Sequence, residues 1–237
     1  MEFYDPANIG EDSEVGSLMN DLGQKAELEG LIAELRDKLA NLPADVNPVE
    51  KCSIELDIAH AQQQLERGHE AWPTARAAFD VFIKHQDWEK AAEACNVLYL
   101  SDQTDSLVAL GNGIWLAVTF PIDPEVTVNL LAHVIDDTPD DSDGAAVAAA
   151  TALFVADTRA PEGPDRERLH FFASQLLGKV ARRHSDVETQ EQFDYWIEKL
   201  ELNDPDKFLI RLRNVVDVLA QEYWWIDRDE IRNSIPE

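Results

Sequence analysis

The chain has 237 residues, of which 45% are apolar, and a formal net charge of −27 from 47 acidic and 20 basic side chains. A charge of that sign repels phosphate backbones and anionic lipid surfaces, which argues against nucleic acid and membranes as partners. Two cysteines, Cys52 and Cys95, make no disulfide framework, and the acidic start MEFYDPANIGEDSEVG has no signal-peptide blocks, so a cytoplasmic protein is expected.

Residues 1–18 are acidic and without period, and are expected to form a mobile arm. Leu28, Ile32, Leu35, Leu39 and Leu42 then place one apolar seam along a helix that Pro43 ends. The seam covers only about two heptads, too few for a zipper, so the segment 19–42 is expected to pack on the protein's own body. A helix is predicted over 49–67, with Ile54, Ile58, Ala61 and Leu65 on one face and Gly68 as its stop. Residues 74–99 read as two short amphipathic helices joined at His85-Gln86-Asp87. Their second half, Asp87 to Ala92, resembles the opening of the second helix of a tetratricopeptide repeat, with Trp88 and Ala91 at the aromatic and small positions. Gln86 stands where that repeat has glycine, and Phe79 where it has a small residue.

Further helices are predicted over 105–119, from Asp123-Pro124-Glu125 onward, over 145–157, over 166–184, over 189–202 and after Asp204-Pro205-Asp206. Gly111 and Gly113 fall inside the first of these and are read as close helix contacts. The alanine-rich run 145–157 implies a crowded centre. The fold expected is all-α, a solenoid-like stack of antiparallel helix pairs of a degenerate tetratricopeptide kind over 49–237; an irregular helical bundle is the alternative.

Candidate chemistry is sparse. Glu66 with His69, and Glu167 with His170, form two ExxH pairs that place a carboxylate and an imidazole on one helix face. Two such pairs, with further glutamates, hold the metals of helical di-iron carboxylate proteins, which makes that class the alternative function. Against it, one pair straddles Gly68 and the other neighbours Arg166 and Arg168. The loop 136–144 fails the calcium-loop pattern, because Pro139 and Ala150 fall where Asp and Glu are required. No phosphate loop, dinucleotide fingerprint or nucleophile elbow occurs. Cys52 begins a helix, where the dipole would lower its pKa. Both cysteines are read as packing residues.

Residues 101–165 hold twelve acidic residues and one basic one, Arg159, and the helix after them is basic. That pattern is read as charges paired within the fold, with a bipolar binding surface as the functional alternative. Two features are candidate partner-binding elements: the aromatic pair Trp224 and Trp225, and the acidic loop with Asp136, Asp137, Asp140, Asp141 and Asp143. Consecutive tryptophans cannot both face one buried side of a helix.

Two stretches, ALGNGIWLAVTFPIDPEVTVNLL at 109–131 and DPDKFLIRLRNVVDVLAQEYWWIDRDEIR at 204–232, are similar to small helical, tetratricopeptide-like proteins associated with nickel–iron hydrogenase gene clusters. The resemblance implies an accessory or assembly protein that contacts a hydrogenase subunit. It assigns no functional residue. The expectation is therefore a non-catalytic helical scaffold with no cofactor, whose partner is another protein; the oligomeric state is open.

Overall fold

The structure is a computed structural model that describes residues 14–221 and 223–233. Eleven helices are described: α1 Glu14–Ala40, α2 Pro48–Gln64, α3 Gly68–Lys84, α4 Trp88–Leu100, α5 Ser106–Thr119, α6 Pro124–Asp137, α7 Asp143–Arg159, α8 Pro164–Ser185, α9 Gln190–Lys199, α10 Pro205–Ala220 and α11 Arg228–Asn233. No strand occurs among the described residues, so the chain is all-α. The expected arm over 1–18 lies mostly outside these residues, and the chain is helical from Glu14.

Local chemistry explains most boundaries. Asn47, Asp123 and Asp204 cap α2, α6 and α10, each followed by a proline at the first helical position. Thr189 and Gln192 form a reciprocal capping box on α9. Glu66, Gln86 and Glu201 take left-handed φ angles of 60°, 59° and 53° at helix exits. The next residue's N–H then reaches back five residues: Arg67 to the carbonyl of Gln62, Asp87 to Phe82, and Leu202 to Ile197. These are Schellman closures made without glycine.

One boundary differs from expectation. The hairpin's first helix starts at Gly68, not after Trp72-Pro73, and Pro73 lies within it. Pro73 is close enough to the start of α3 that only one interior hydrogen bond is lost. Gly68 begins a helix here because nothing larger fits: a Cβ on it would sit 2.1 Å from the carbonyl oxygen of Ser101.

Consecutive helices pack against each other from α1 to α9. α2, α4, α6 and α8 also touch in sequence and form one layer, as expected of a stack of pairs. The opposite layer is built differently. Among the described residues the backbones of α3, α5 and α7 do not pack on one another; α10 lies between α5 and α7 and packs on both. A Cβ on Gly111 would lie 2.8 Å from the backbone nitrogen of Ala220, and one on Gly113 would lie 2.7 Å from the Cβ of Cys95. The two glycines thus let α5 approach α10 on one side and α4 on the other.

The core runs through both layers. Phe79 and Phe82 are fully buried, each worth about 2–3 kcal/mol of transfer free energy. Ala145, Ala146, Ala148, Ala149 and Ala152 are wholly buried, as α7 is enclosed by α6, α8 and α10. The leucine seam of α1 forms a separate small cluster with Ile54, Ile58 and Ala61 of α2. Trp88 is half-buried and stacks on Phe120, with centroids 4.3 Å apart and planes 10° from parallel.

Candidate protein-interaction grooves

The predicted site residues are placed as follows. Asp136 is exposed and pairs with Lys179 at 2.8 Å. Asp137 accepts the Tyr99 hydroxyl. Asp140 and Asp141 are exposed and have no hydrogen bond or ion pair among the described residues. Asp143 meets His184 at 3.1 Å and Arg211 at 3.2 Å. The Nδ1 of His184 receives the Trp196 indole N–H at 3.2 Å, so its Nε2 carries the proton toward Asp143. The basic residues that follow the acidic stretch are largely engaged inside the fold. Arg183 donates to the carbonyl of Ile135, Arg166 to that of Asp157, and Arg211 to that of Leu200. Each satisfies a carbonyl near a helix end.

Trp224 and Trp225 are both half-buried and face different neighbours. Trp225 meets Phe79 and Trp72 edge-on, with Arg76 4.3 Å above its ring. Trp224 meets Trp115 edge-on, with Arg228 3.8 Å from its centroid. Together they fill the space between α3 and α5.

The two ExxH pairs do not converge. Glu66 and His69 lie at the α2–α3 turn, with the His69 side chain 76% exposed. Glu167 and His170 lie near the start of α8. Among the described residues no group of three or more His, Cys, Asp or Glu is arranged to hold a metal ion. The cysteines are inert rather than activated. Burial, then Glu55, pushes the Cys52 thiol up, where the helix start had been expected to lower it; burial alone raises that of Cys95. Burial outweighs the dipole because Cys52 sits a full turn inside α2.

One arrangement was not foreseen from the sequence. The Nε2 of His170 lies 3.2 Å from Asp157, and its Nδ1 lies 3.5 Å from the Ser174 hydroxyl. The order resembles a nucleophile relay. Yet Ser174 sits mid-helix, where backbone N–H groups are tied into the helix and cannot stabilise an oxyanion, and His170 and Asp157 are nearly half exposed. The arrangement reads as a surface polar cluster.

Two grooves stand out. The first is a trough along the α2–α4–α6–α8 layer. One section lies between α1 and α2, lined by Leu31, Leu35, Asp57 and His60. The next shares Asp57 and His60 and adds Glu93, Asn96 and Asn129. A third shares Asn129 and adds Arg168, Leu169 and Phe172. The three sections adjoin at these shared residues and together cross five helices. Beside it, the Oδ1 of Asn96 lies 2.8 Å from Nε2 of His133, whose ring lies 4.5 Å from that of Tyr99. Burial lowers the His133 pKa, against the opposing pull of Asp137 and Asp136. Burial, then the bond to Asp137, raises that of Tyr99. The second groove is an apolar cleft of 440 Å³ bounded by α5, α10 and the loop between α6 and α7.

No protein-family model, curated protein or solved structure matches the chain. Among the described residues no helix is long and apolar enough to cross a membrane.

Proposed function

We propose that the protein is a non-catalytic helical scaffold that binds a segment of a partner protein along the trough. The alignment of the three adjoining sections carries the reading, because a row of grooves lined in turn by α1, α2, α4, α6 and α8 suits a long peptide rather than a small substrate. Its chemistry agrees. The Asn129 side chain is exposed and makes no hydrogen bond among the described residues, so its amide is open to a peptide backbone. Leu31 and Phe172, 44% and 43% exposed, offer apolar purchase at the two ends.

The particular partner we assign, on the resemblance of residues 109–131 and 204–232, is a subunit of a nickel–iron hydrogenase during assembly in the cytoplasm. Affinity purification from the native cell, with mass spectrometry, tests both levels. Asn129→Arg puts a long cation where two sections of the trough meet, on an exposed site that tolerates it. The expected result is a partner retained by the wild type and by Arg213→Glu but lost with Asn129→Arg. Undiminished retention by Asn129→Arg would remove the trough from the argument. A retained partner unrelated to hydrogenase would remove only the narrower assignment.

A further inference from the structure

We propose that the cleft between α5 and α10 docks an amphipathic helix of a basic partner protein, apolar on one face and edged with Lys or Arg. The site is separate from the trough, and the proposal stands whether or not the trough binds a peptide.

The floor is apolar. Leu110 and Val134 are buried beneath it, and Val215 and Leu219 line one wall. Two aliphatic side chains at its edge face water, Leu107 at 43% and Val218 at 75% exposure. Gly144, the second residue of α7, keeps that side low: a Cβ there would reach to 3.4 Å from Val215 and 3.3 Å from the Ser142 hydroxyl. Val215, Val218 and Leu219 form a ridge at i, i+3 and i+4 along α10. Packed helices leave such ridges and grooves for a further helix to enter.

Charge selects the occupant. Asp137 lines the cleft, Asp140 and Asp141 stand in the adjoining loop, and Asp105 is two residues before Leu107. The carboxylates of Asp105, Asp140 and Asp141 have no hydrogen bond or ion pair among the described residues. The neighbouring cations are already engaged: Lys179 with Asp136, Arg183 with the carbonyl of Ile135, Arg211 with Asp143, Arg228 with Asp217. Arg213 lies roughly 100–200° round α10 from Asn214 and Val215 and so turns from the cleft. The rim is thus left with uncompensated negative charge around an apolar floor. A second copy of this chain, at −27, is repelled from it, and so are residues 1–13, which hold acidic side chains and no Lys or Arg. A helix with basic edges is attracted by the rim and retained by the floor.

The test uses the full chain and a labelled helical peptide of about 18 residues. It carries Leu at i, i+3, i+4 and i+7 with Lys beside them; a twin has Glu in place of Lys. Fluorescence anisotropy and stopped flow read affinity and rates. The Lys peptide should bind and the Glu twin should not. Val218→Asp, and separately Leu107→Ser, should weaken binding about tenfold or more, chiefly by faster dissociation. Asp140→Asn with Asp141→Asn should slow association and flatten its salt dependence. Tyr195→Ser, at an exposed position of α9 outside the cleft lining, should change neither rate. Circular dichroism confirms each variant's fold. Undiminished binding by both Val218→Asp and Leu107→Ser means diffuse charge attraction and overturns the proposal. Equal binding of the Glu twin, no binding of the Lys peptide, or wild-type self-association lost in Val218→Asp overturns it as well.

Discussion

The backbone N–H of Trp225 donates to Oδ1 of Asn112 over 3.2 Å, joining residues 113 positions apart in the chain. Asn112 is fully buried on α5, and its own Nδ2 is held by the carbonyl of Val108 at 2.8 Å. One amide therefore satisfies a partly buried backbone donor and anchors the C-terminal segment against α3 and α5. Asn112→Ala should cost about 1–3 kcal/mol, because the Trp225 N–H then loses its partner away from water. Urea unfolding measures the cost. Hydrogen exchange should show residues 223–233 opening first. Full protection of that segment in the variant would mean that the tryptophan rings alone hold it.

Arg159, the one basic residue among twelve acids in 101–165, closes the end of α5 from α7. Its Nη1 donates to the carbonyls of Ala117 and Phe120 at 2.7 and 2.9 Å, and its Nη2 to that of Val118 at 2.6 Å. Burial lowers its pKa without threatening its charge. Arg159→Met should destabilise by about 2–3 kcal/mol, since charged donors to three carbonyls at the end of α5 are lost. Arg159→Lys should recover less than half of that, because an ammonium cannot span three carbonyls as the guanidinium fork does. Equal melting temperatures for Lys and Arg would show that charge alone matters there.

Gln86 holds φ 59° in the α3–α4 turn, where the repeat that this stretch resembles has glycine. The left-handed conformation costs a residue with a Cβ about 1–2 kcal/mol, and glycine returns part of the gain through its freer unfolded state. Gln86→Gly should therefore stabilise by about 0.5 kcal/mol, read as a higher melting temperature. Gly68→Ala should do the opposite and lose about 3 kcal/mol or more, as its Cβ would meet the Ser101 carbonyl. A melting temperature raised by Gly68→Ala would contradict the close approach of that turn to α4.

His133 makes stability depend on pH in a calculable direction. Its folded pKa lies below the ordinary 6.5, chiefly through burial. The unfolded chain thus binds more protons there than the folded one, and stability falls as pH drops from about 6.5 toward the folded value. His133→Gln can keep the bond to Asn96 but does not titrate. The difference between wild-type and variant unfolding free energies should be constant above about pH 7.5 and should shift against the wild type by pH 5.5. A difference independent of pH would mean that His133 titrates normally in the fold.

Several features were legible in the sequence because they are local. The leucine seam of α1 reads directly from its spacing, and so do the Asx-Pro caps of α6 and α10. Gly111 and Gly113 were identifiable as close contacts, because glycine inside an apolar helical pattern has few other uses. The acidic loop followed from composition, whereas Trp224 and Trp225 lie between α10 and α11, where the helical argument applied to them does not hold. The left-handed exit at Gln86 was not foreseen, since the sequence showed there only the lack of the glycine that the repeat it resembles carries.

What each of these elements meets was settled only by the tertiary structure. Periodicity marks the buried face of α10 but not that it enters between α5 and α7, a pairing that skips several intervening helices. Likewise Trp88 was read at the aromatic position of the hairpin's second helix, yet the ring it stacks on, Phe120, lies outside the hairpin. The trough has no sequence signature, since Asp57, His60, Asn96 and Asn129 come together only when α2, α4 and α6 stand side by side. The apolar cleft exists because the start of α7 at Gly144 and the exposed flank of α10 frame the same space. Hydrophobic pattern and capping act within a turn or two of helix. Arg159 finds its carbonyls 39–42 residues away, and side-chain packing among non-sequential helices is what selects such partners.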